Sequence, residues 1–331
     1  MSLKSRFRKT LALGGIYPRK MYVEALFRAL EHDRADKLRK LLEQRPDIRT
    51  AQDPYDRQRP FEAAVYGGKK ECAKVLVELF PGLLTEDRSP PDMKRGIQLV
   101  HSACSDSRTA APVTLLLDIG ADPNARDADG KTPLHWAAQA DRPDVMRALL
   151  ARGADPAAAD AEGRTPLHVA EGPASVATLI DAGADVEAHD AFGLTPLMLA
   201  ALRSDPGDGV AIVGALLENG ARLNACDGNG VNATMHAIRA CMFSRAVFLM
   251  QKGGYIDAGS PVVQAFLEAS GGAGRMVGEC AAAVRYAEET PARELREKEQ
   301  RAAAIEHDIA GGTQGDLHVK AFRLSPRKPS A

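Results

Sequence analysis

The sequence predicts an all-α fold organised as a linear array of helix–turn–helix units, and three observations carry that prediction. Gly153-Ala154-Asp155-Pro156 repeats Gly120-Ala121-Asp122-Pro123, displaced by 33 residues. Thr165-Pro166-Leu167-His168 repeats Thr132-Pro133-Leu134-His135 at the same displacement. Between a Thr-Pro start and a glycine stop, apolar residues recur at helical spacing. Self-similarity at periods of 20–50 residues marks repeat architectures. In these a unit too small to bury its own apolar face must stack on its neighbours.

The best-formed unit runs over 129–153, DGKTPLHWAAQADRPDVMRALLARG. Thr132 is a natural N-cap, with a hydroxyl for an orphan backbone N–H of the first turn. Pro133 at the first helical position has the φ that a helix wants and lacks an N–H that would be unpaired there. Leu134, Ala137 and Ala138 form an i, i+3, i+4 face small enough for close stacking. Asp141-Arg142-Pro143 breaks this helix. The second helix presents Val145, Leu149 and Leu150 to the core, and Gly153 ends it in the left-handed conformation. Asp127-Ala128-Asp129-Gly130 lacks the ligand spacing of a calcium loop, and reads as a hairpin turn in which Gly130 supplies a positive φ.

Decayed copies follow. Residues 164–184 carry Arg164-Thr165-Pro166-Leu167-His168-Val169-Ala170 and then Glu171-Gly172-Pro173, three residues short, so the loop between helices must be trimmed. Residues 194–221 have Met198 where the histidine belongs and a longer connection at 204–209. Aligning Gly230 with Gly130 places Asn232-Ala233-Thr234-Met235 over Thr-Pro-Leu-His, with Phe248-Leu249-Met250 and Gly253 closing that unit. Upstream, Val100-His101-Ser102-Ala103-Cys104 with Leu115-Leu116-Leu117 is one copy, and Arg59-Pro60-Phe61-Glu62-Ala63-Ala64 with Val75-Leu76-Val77 a weaker one. Residues 22–42 form the first helix pair, with Leu26, Leu30, Leu38, Leu41 and Leu42 on its apolar faces.

This pattern resembles the ankyrin repeat, most closely over 120–221 and with eroded motifs over 97–254. The resemblance implies an all-α ankyrin-repeat solenoid of about seven units, each a turn plus two antiparallel helices. The array with a C-terminal helical cap spans 21–287, the cap helices being 261–267 and 278–287. A basic flexible segment precedes it at 1–20, and a polar helix with a disordered basic tail follows at 288–331. The resemblance also implies that His135 and His168 bond their threonines and a backbone group of the adjoining unit, that His101 plays a degenerate version of this role, and that His236 faces the groove. Trp136 is read as packing between neighbouring units, with a contact role as the alternative.

Composition narrows the function. The net charge is −1 and aromatics are 5% of the chain, so no global pull toward nucleic acid is expected. Residues 1–20 carry six bases and no acid, while 96–260 hold 20 acids against 12 bases, a net of −8. Five cysteines without paired short spacing suggest neither a disulfide framework nor a zinc site, and are expected to be small buried hydrophobes. The run Leu11-Ala12-Leu13-Gly14-Gly15-Ile16 is too short and glycine-broken for a secretion signal, and no apolar stretch reaches the ~20 residues of a membrane span. A cytoplasmic location is expected. No nucleophile-elbow, zincin, Cys-x-x-Cys, phosphate-loop or dinucleotide motif is present, and the glycine cluster at 271–274 follows no apolar strand.

The expected function is therefore a non-catalytic protein–protein interaction module, monomeric, without cofactor, metal or small-molecule substrate. By the family geometry its partner protein docks on the concave face, at positions flanking the Asp-x-x-Gly turn and just after the first-helix motif. These are Arg126, Asp129, Lys131, Trp136 and Gln139 in the best unit and Glu162 and Arg164 in the next. Phe192, Leu194, Leu202 and Arg203 follow, and Asn229, Val231 and Arg239 complete the surface. The alternative is a tether to nucleic acid or anionic membrane through the basic termini. An enzyme with a site in 255–331 is disfavoured because that segment has no convergent His, Cys or Asp cluster.

Overall fold

The computed structural model describes residues 19–52, 58–88, 96–106, 109–203, 209–240 and 242–254. The basic segment 1–18, the connection 204–208, the cap helices expected at 261–267 and 278–287 and the polar segment from 288 lie outside the described residues. Two compact units are present, one reaching Ala233 and the other starting at Thr234. The described residues contain thirteen α-helices and no strand, apart from an isolated bridge between Cys226 and Asn232.

In the first unit the helices come in pairs: α1 (Arg19–Glu31) with α2 (Ala35–Gln44), α3 (Pro60–Tyr66) with α4 (Lys70–Leu79), and α5 (Leu99–Asp106) with α6 (Ala111–Asp118). Then follow α7 (Pro133–Gln139) with α8 (Pro143–Leu150), a 3₁₀ turn (Pro166–Val169) with α9 (Pro173–Asp181), and α10 (Pro196–Leu202) with α11 (Gly209–Glu218). Successive first helices touch in the order α5, α7, 3₁₀ turn, α10, and second helices in the order α6, α8, α9, α11. The result is two rows, as a stacked repeat requires. The last pair is α12 (Ala233–Arg239) and α13 (Phe243–Gln251), of which all but Ala233 belongs to the second unit.

The best unit follows its sequence closely. Thr132 is extended at the N-cap (φ −91°, ψ 166°) and forms a reciprocal capping box with His135, with Pro133 in the first turn. Leu134, Ala137, Ala138, Val145 and Leu149 are fully buried. Met146 joins them, whereas Leu150 is half-buried: positions 145, 146 and 149 share one face of a 3.6-residue helix and 150 stands at its edge. Pro143 begins the second helix rather than merely ending the first. In the first pair Leu26, Leu30, Leu38 and Leu42 are buried and Leu41 is half-buried. Each fully buried leucine contributes roughly 1.5–3 kcal/mol.

Two expectations need correction. The three-residue deficit at 164–184 comes out of the first helix itself, which is reduced to the single 3₁₀ turn before Ala170 turns extended (φ −60°, ψ 133°). Gly172, held extended before Pro173 (φ −150°, ψ 153°), carries the chain from there straight into the second helix. Of the cysteines, Cys72 and Cys104 are buried hydrophobes as expected, but Cys226 is exposed. Burial pushes the Cys72 thiol up to about 12, helped by its neighbour Asp33.

Candidate functional site

Four successive units begin with a turn whose geometry is fixed by an aspartate. Asp127, Asp160 and Asp190 are buried side chains in an otherwise exposed loop. One carboxylate oxygen of each accepts the N–H groups two and four residues on: Asp129 and Lys131 (3.0 and 2.8 Å), Glu162 and Arg164 (both 2.9 Å), Phe192 and Leu194 (2.9 and 2.8 Å). Asp227 does the same for Asn229 and Val231 (2.8 and 2.9 Å). The glycine three residues on takes φ of 75°, 76°, 77° and 73° in turn, a region that side chains with a Cβ resist. Identical turns in successive units therefore project the intervening side chains in one direction.

The histidines join the turns to the helices. Thr132 N–H donates to His135 Nδ1 (3.1 Å), and the Thr132 hydroxyl lies 2.9 Å from the same nitrogen. Because Nδ1 accepts a backbone N–H, Nε2 carries the hydrogen and donates to the Arg164 carbonyl of the next unit (2.9 Å). His168 repeats the arrangement with Thr165 and the Leu194 carbonyl (3.1 Å). In the degenerate form, His101 Nδ1 accepts from Gln98 N–H (3.1 Å) and Nε2 bonds the Ala125 carbonyl (3.0 Å). All three pKa values are lowered, chiefly by burial. Neutral, buried and doubly bonded, these imidazoles are clamps. His236 is buried as well, which corrects its expected exposure to the groove.

The turns also bond each other. Asp129 carbonyl accepts Ala161 N–H and Glu162 carbonyl accepts Ala191 N–H, both at 2.9 Å.

The side chains expected to contact a partner divide by what already holds them. Arg126 is exposed but donates to the carbonyls of Gly130 (3.0 Å) and Ala159 (2.6 Å), fastening one turn to the next unit. Arg164 grips Asp160 through Nε and Nη2 (3.0 and 2.9 Å) and meets Glu162 at 2.8 Å. Burial pushes the Asp160 carboxyl up, and the backbone N–H groups with the Arg164 guanidinium outweigh it, so its pKa ends below the ordinary value. Arg203 reaches back to Glu171 (2.5 Å) and the Ala170 carbonyl (3.4 Å), spanning the place where the first helix is cut short. Trp136 is half-buried, its indole N–H donating to Asp127 (3.0 Å) and its ring 6.2 Å from that of His101 in the preceding unit.

Asp129, Gln139, Glu162 and Asn229 are exposed; Lys131, Leu194 and Leu202 are half-buried. Arg239 is exposed in the second unit. Val231 is fully buried and is withdrawn from the contact surface. It occupies the position of Lys131 and Arg164, where a long side chain can lay its stem inward and lift its charged head out, which a valine cannot do. Phe192 is 69% exposed and is the large apolar residue that stands out among the described residues. The Asp-x-x-Gly turns were read from the sequence, but the role of each aspartate in bonding the N–H groups two and four residues on was not.

Comparison with known proteins agrees with this architecture. A family model described as ankyrin repeats (three copies) matches residues 78–160 and 100–190, and one described as ankyrin repeat matches 192–228. Ankyrin repeat protein PAE1861 of Pyrobaculum aerophilum is 51% identical over 49 residues, 15% of this chain and 18% of that protein. Protein fem-1 homolog A of Homo sapiens is 58% identical over 38 residues, 12% of this chain and 6% of its own length. Probable protein S-acyltransferase 23 of Arabidopsis thaliana is 40% identical over 57 residues, 17% of this chain and 11% of that protein. The chain thus spans less than a fifth of the length of these curated relatives. Among the described residues no helix is long and apolar enough to cross a membrane. Ankyrin repeats are generally protein–protein interaction modules. With its helix pairs and its Thr-Pro-Leu-His clamps, the stretch matched over 78–190 and 192–228 is an array of ankyrin repeats.

Proposed function

We propose that this chain is a non-catalytic adaptor or regulator that binds a partner protein through the face carrying its turn tips, acting as a cytoplasmic monomer without a cofactor. The observation that carries the proposal is Phe192, a phenylalanine held out in solvent by a turn in which every backbone N–H from 190 to 194 is bonded. A large aromatic on a rigid support gives up little conformational entropy on binding, and aromatics are enriched at interface hot spots. Around it the half-buried Leu194 and exposed Glu162 and Asn229 supply a mixed rim. Arg126, Arg164 and Arg203 are tied to neighbouring carboxylates and carbonyls, so they define the shape of this surface more than its charge. His101, His135 and His168 are committed to structural bonds, which speaks against a catalytic role for these three, while the segment 255–331 lies outside the described residues.

Phe192→Ala is expected to weaken a genuine partner by about 2 kcal/mol, a change of about 30-fold in Kd, with an unchanged melting temperature. The matched control is Arg147→Ala on the exposed side of α8; Arg152 is less suitable because it pairs with Asp118 at 2.6 Å. Calorimetric titration of both variants decides the matter: an Arg147→Ala loss larger than that of Phe192→Ala overturns the assignment.

A further inference from the structure

Two locks recur between successive units, and both stop at the same place. The first is the bond between turns, with Asp129 carbonyl to Ala161 N–H and Glu162 carbonyl to Ala191 N–H at 2.9 Å. The equivalent atoms at the next junction are Phe192 carbonyl and Gly228 N–H, and they make no such bond. The separation of the turns agrees. A methyl group built on Gly130 lies 2.9 Å from Ala161 N, and one on Gly163 lies 2.7 Å from Ala191 N. On Gly193 the distance to Gly228 N is 3.7 Å.

The second lock is the histidine clamp. His135 bonds the Arg164 carbonyl and His168 the Leu194 carbonyl. The residue in register is Met198, whose backbone N–H takes Thr195 Oγ1 at 3.4 Å and whose thioether cannot donate to a carbonyl. The acceptor is nevertheless in place. Val231 carbonyl receives Asp227 N–H at 3.0 Å, as Leu194 receives Asp190 (3.0 Å) and Arg164 receives Asp160 (2.9 Å). The turn beyond the junction, Asp227-Gly228-Asn229-Gly230, holds two glycines and loses more conformational entropy on ordering than its predecessors. One polar link that does cross is Arg222 N–H to Glu187 Oε1 at 2.8 Å.

We propose that this junction is a built-in seam: the turn at 227–230 separates from the turn at 190–193 while the stack over 127–194 stays closed. The seam does not depend on what the protein binds, and its consequence is mechanical. Phe192 stands on the fixed lip, so the surface beside the apolar anchor changes width when the seam opens.

Hydrogen exchange of the full chain tests this through three matched amides, Asp160, Asp190 and Asp227, each bonded to the carbonyl four residues on. In the native sequence Asp227 is expected to exchange at least about tenfold faster than the other two, given two missing hydrogen bonds of about fivefold each. Met198→His restores the clamp and should slow Asp227 about fivefold while leaving Asp160 unchanged. The converse variant, His168→Met, removes the clamp from a closed junction and should speed Asp190 by a similar factor, so the test survives if Met198→His fails to fold. Equal protection of the three amides in the native chain, or acceleration of Asp227 rather than Asp190 by His168→Met, overturns the seam.

Discussion

Replacing His135 by Ala is expected to cost about 3 kcal/mol or more of stability, a large effect for one residue. The side chain is fully buried and serves two units at once. Its loss leaves the Thr132 N–H and hydroxyl without their acceptor and strips the Arg164 carbonyl of its inter-unit donor, leaving it only the Asp160 N–H. Each buried polar group stranded in this way costs about 1–3 kcal/mol. The same residue makes the protein acid-labile. Burial lowers the folded-state pKa of His135, as it does for His101 and His168, so below the ordinary histidine value the unfolded chain binds more protons than the folded one. The stability these groups contribute is complete above about pH 7, declines as pH falls through about 6.5, and stops declining below the lowered folded pKa values. Urea midpoints at pH 7.5 and 5.5 should therefore differ in the native chain and differ less in His135→Ala. A His135→Ala cost below about 1 kcal/mol, or a native chain more stable at pH 5.5, would contradict the clamp.

Gly163→Ala is the second large effect. At φ 76° an L side chain costs about 1–2 kcal/mol. The added methyl would also sit 2.7 Å from Ala191 N and 3.2 Å from the Asp190 carbonyl carbon, both backbone atoms. The turns must part to admit it, at the expense of the Ala191-to-Glu162 bond, and the total should reach about 3 kcal/mol. Gly193→Ala carries the same conformational cost at φ 77° but meets Gly228 N at an ordinary 3.7 Å, so it should lose only about 1–2 kcal/mol. Thermal or urea unfolding of the pair reads the difference directly. Equal losses would mean that inter-turn spacing does not govern tolerance at these glycines.

The fold was legible because its information is local and repeated. A Thr-Pro start, a small apolar face and a positive-φ glycine each act within one turn of chain, and the 33-residue period ties them together. The threonine–histidine link could also be placed by resemblance, and the structure bears it out at 135 and 168 and in altered form at 101. What stayed hidden depends on neighbours distant in sequence. Nothing near Val231 says whether that position faces solvent, since Lys131 and Arg164 answer differently in the same register. Likewise, Arg126, Arg164 and Arg203 read as free charges until the chain folds and brings Ala159, Asp160 and Glu171 beside them. The shortening at 164–184 was visible as a missing length, but which element gave way shows only in the folded chain, where Gly172 stands extended before Pro173. Phe192 was recognisable in advance because turn tips are exposed by construction.

The central claim, that recognition occurs on the turn-tip face, is tested most directly by photo-crosslinking in the cells that make the protein. A photoreactive side chain is installed singly at Phe192, Gln139 and Asn229, and, for comparison, at Arg147 and Thr178 on second helices of the opposite row. The account predicts one discrete crosslinked protein from the three turn-side positions, strongest at Phe192, and none from Arg147 or Thr178. The same discrete product arising from Arg147 and Thr178, with nothing captured at Phe192, would contradict it.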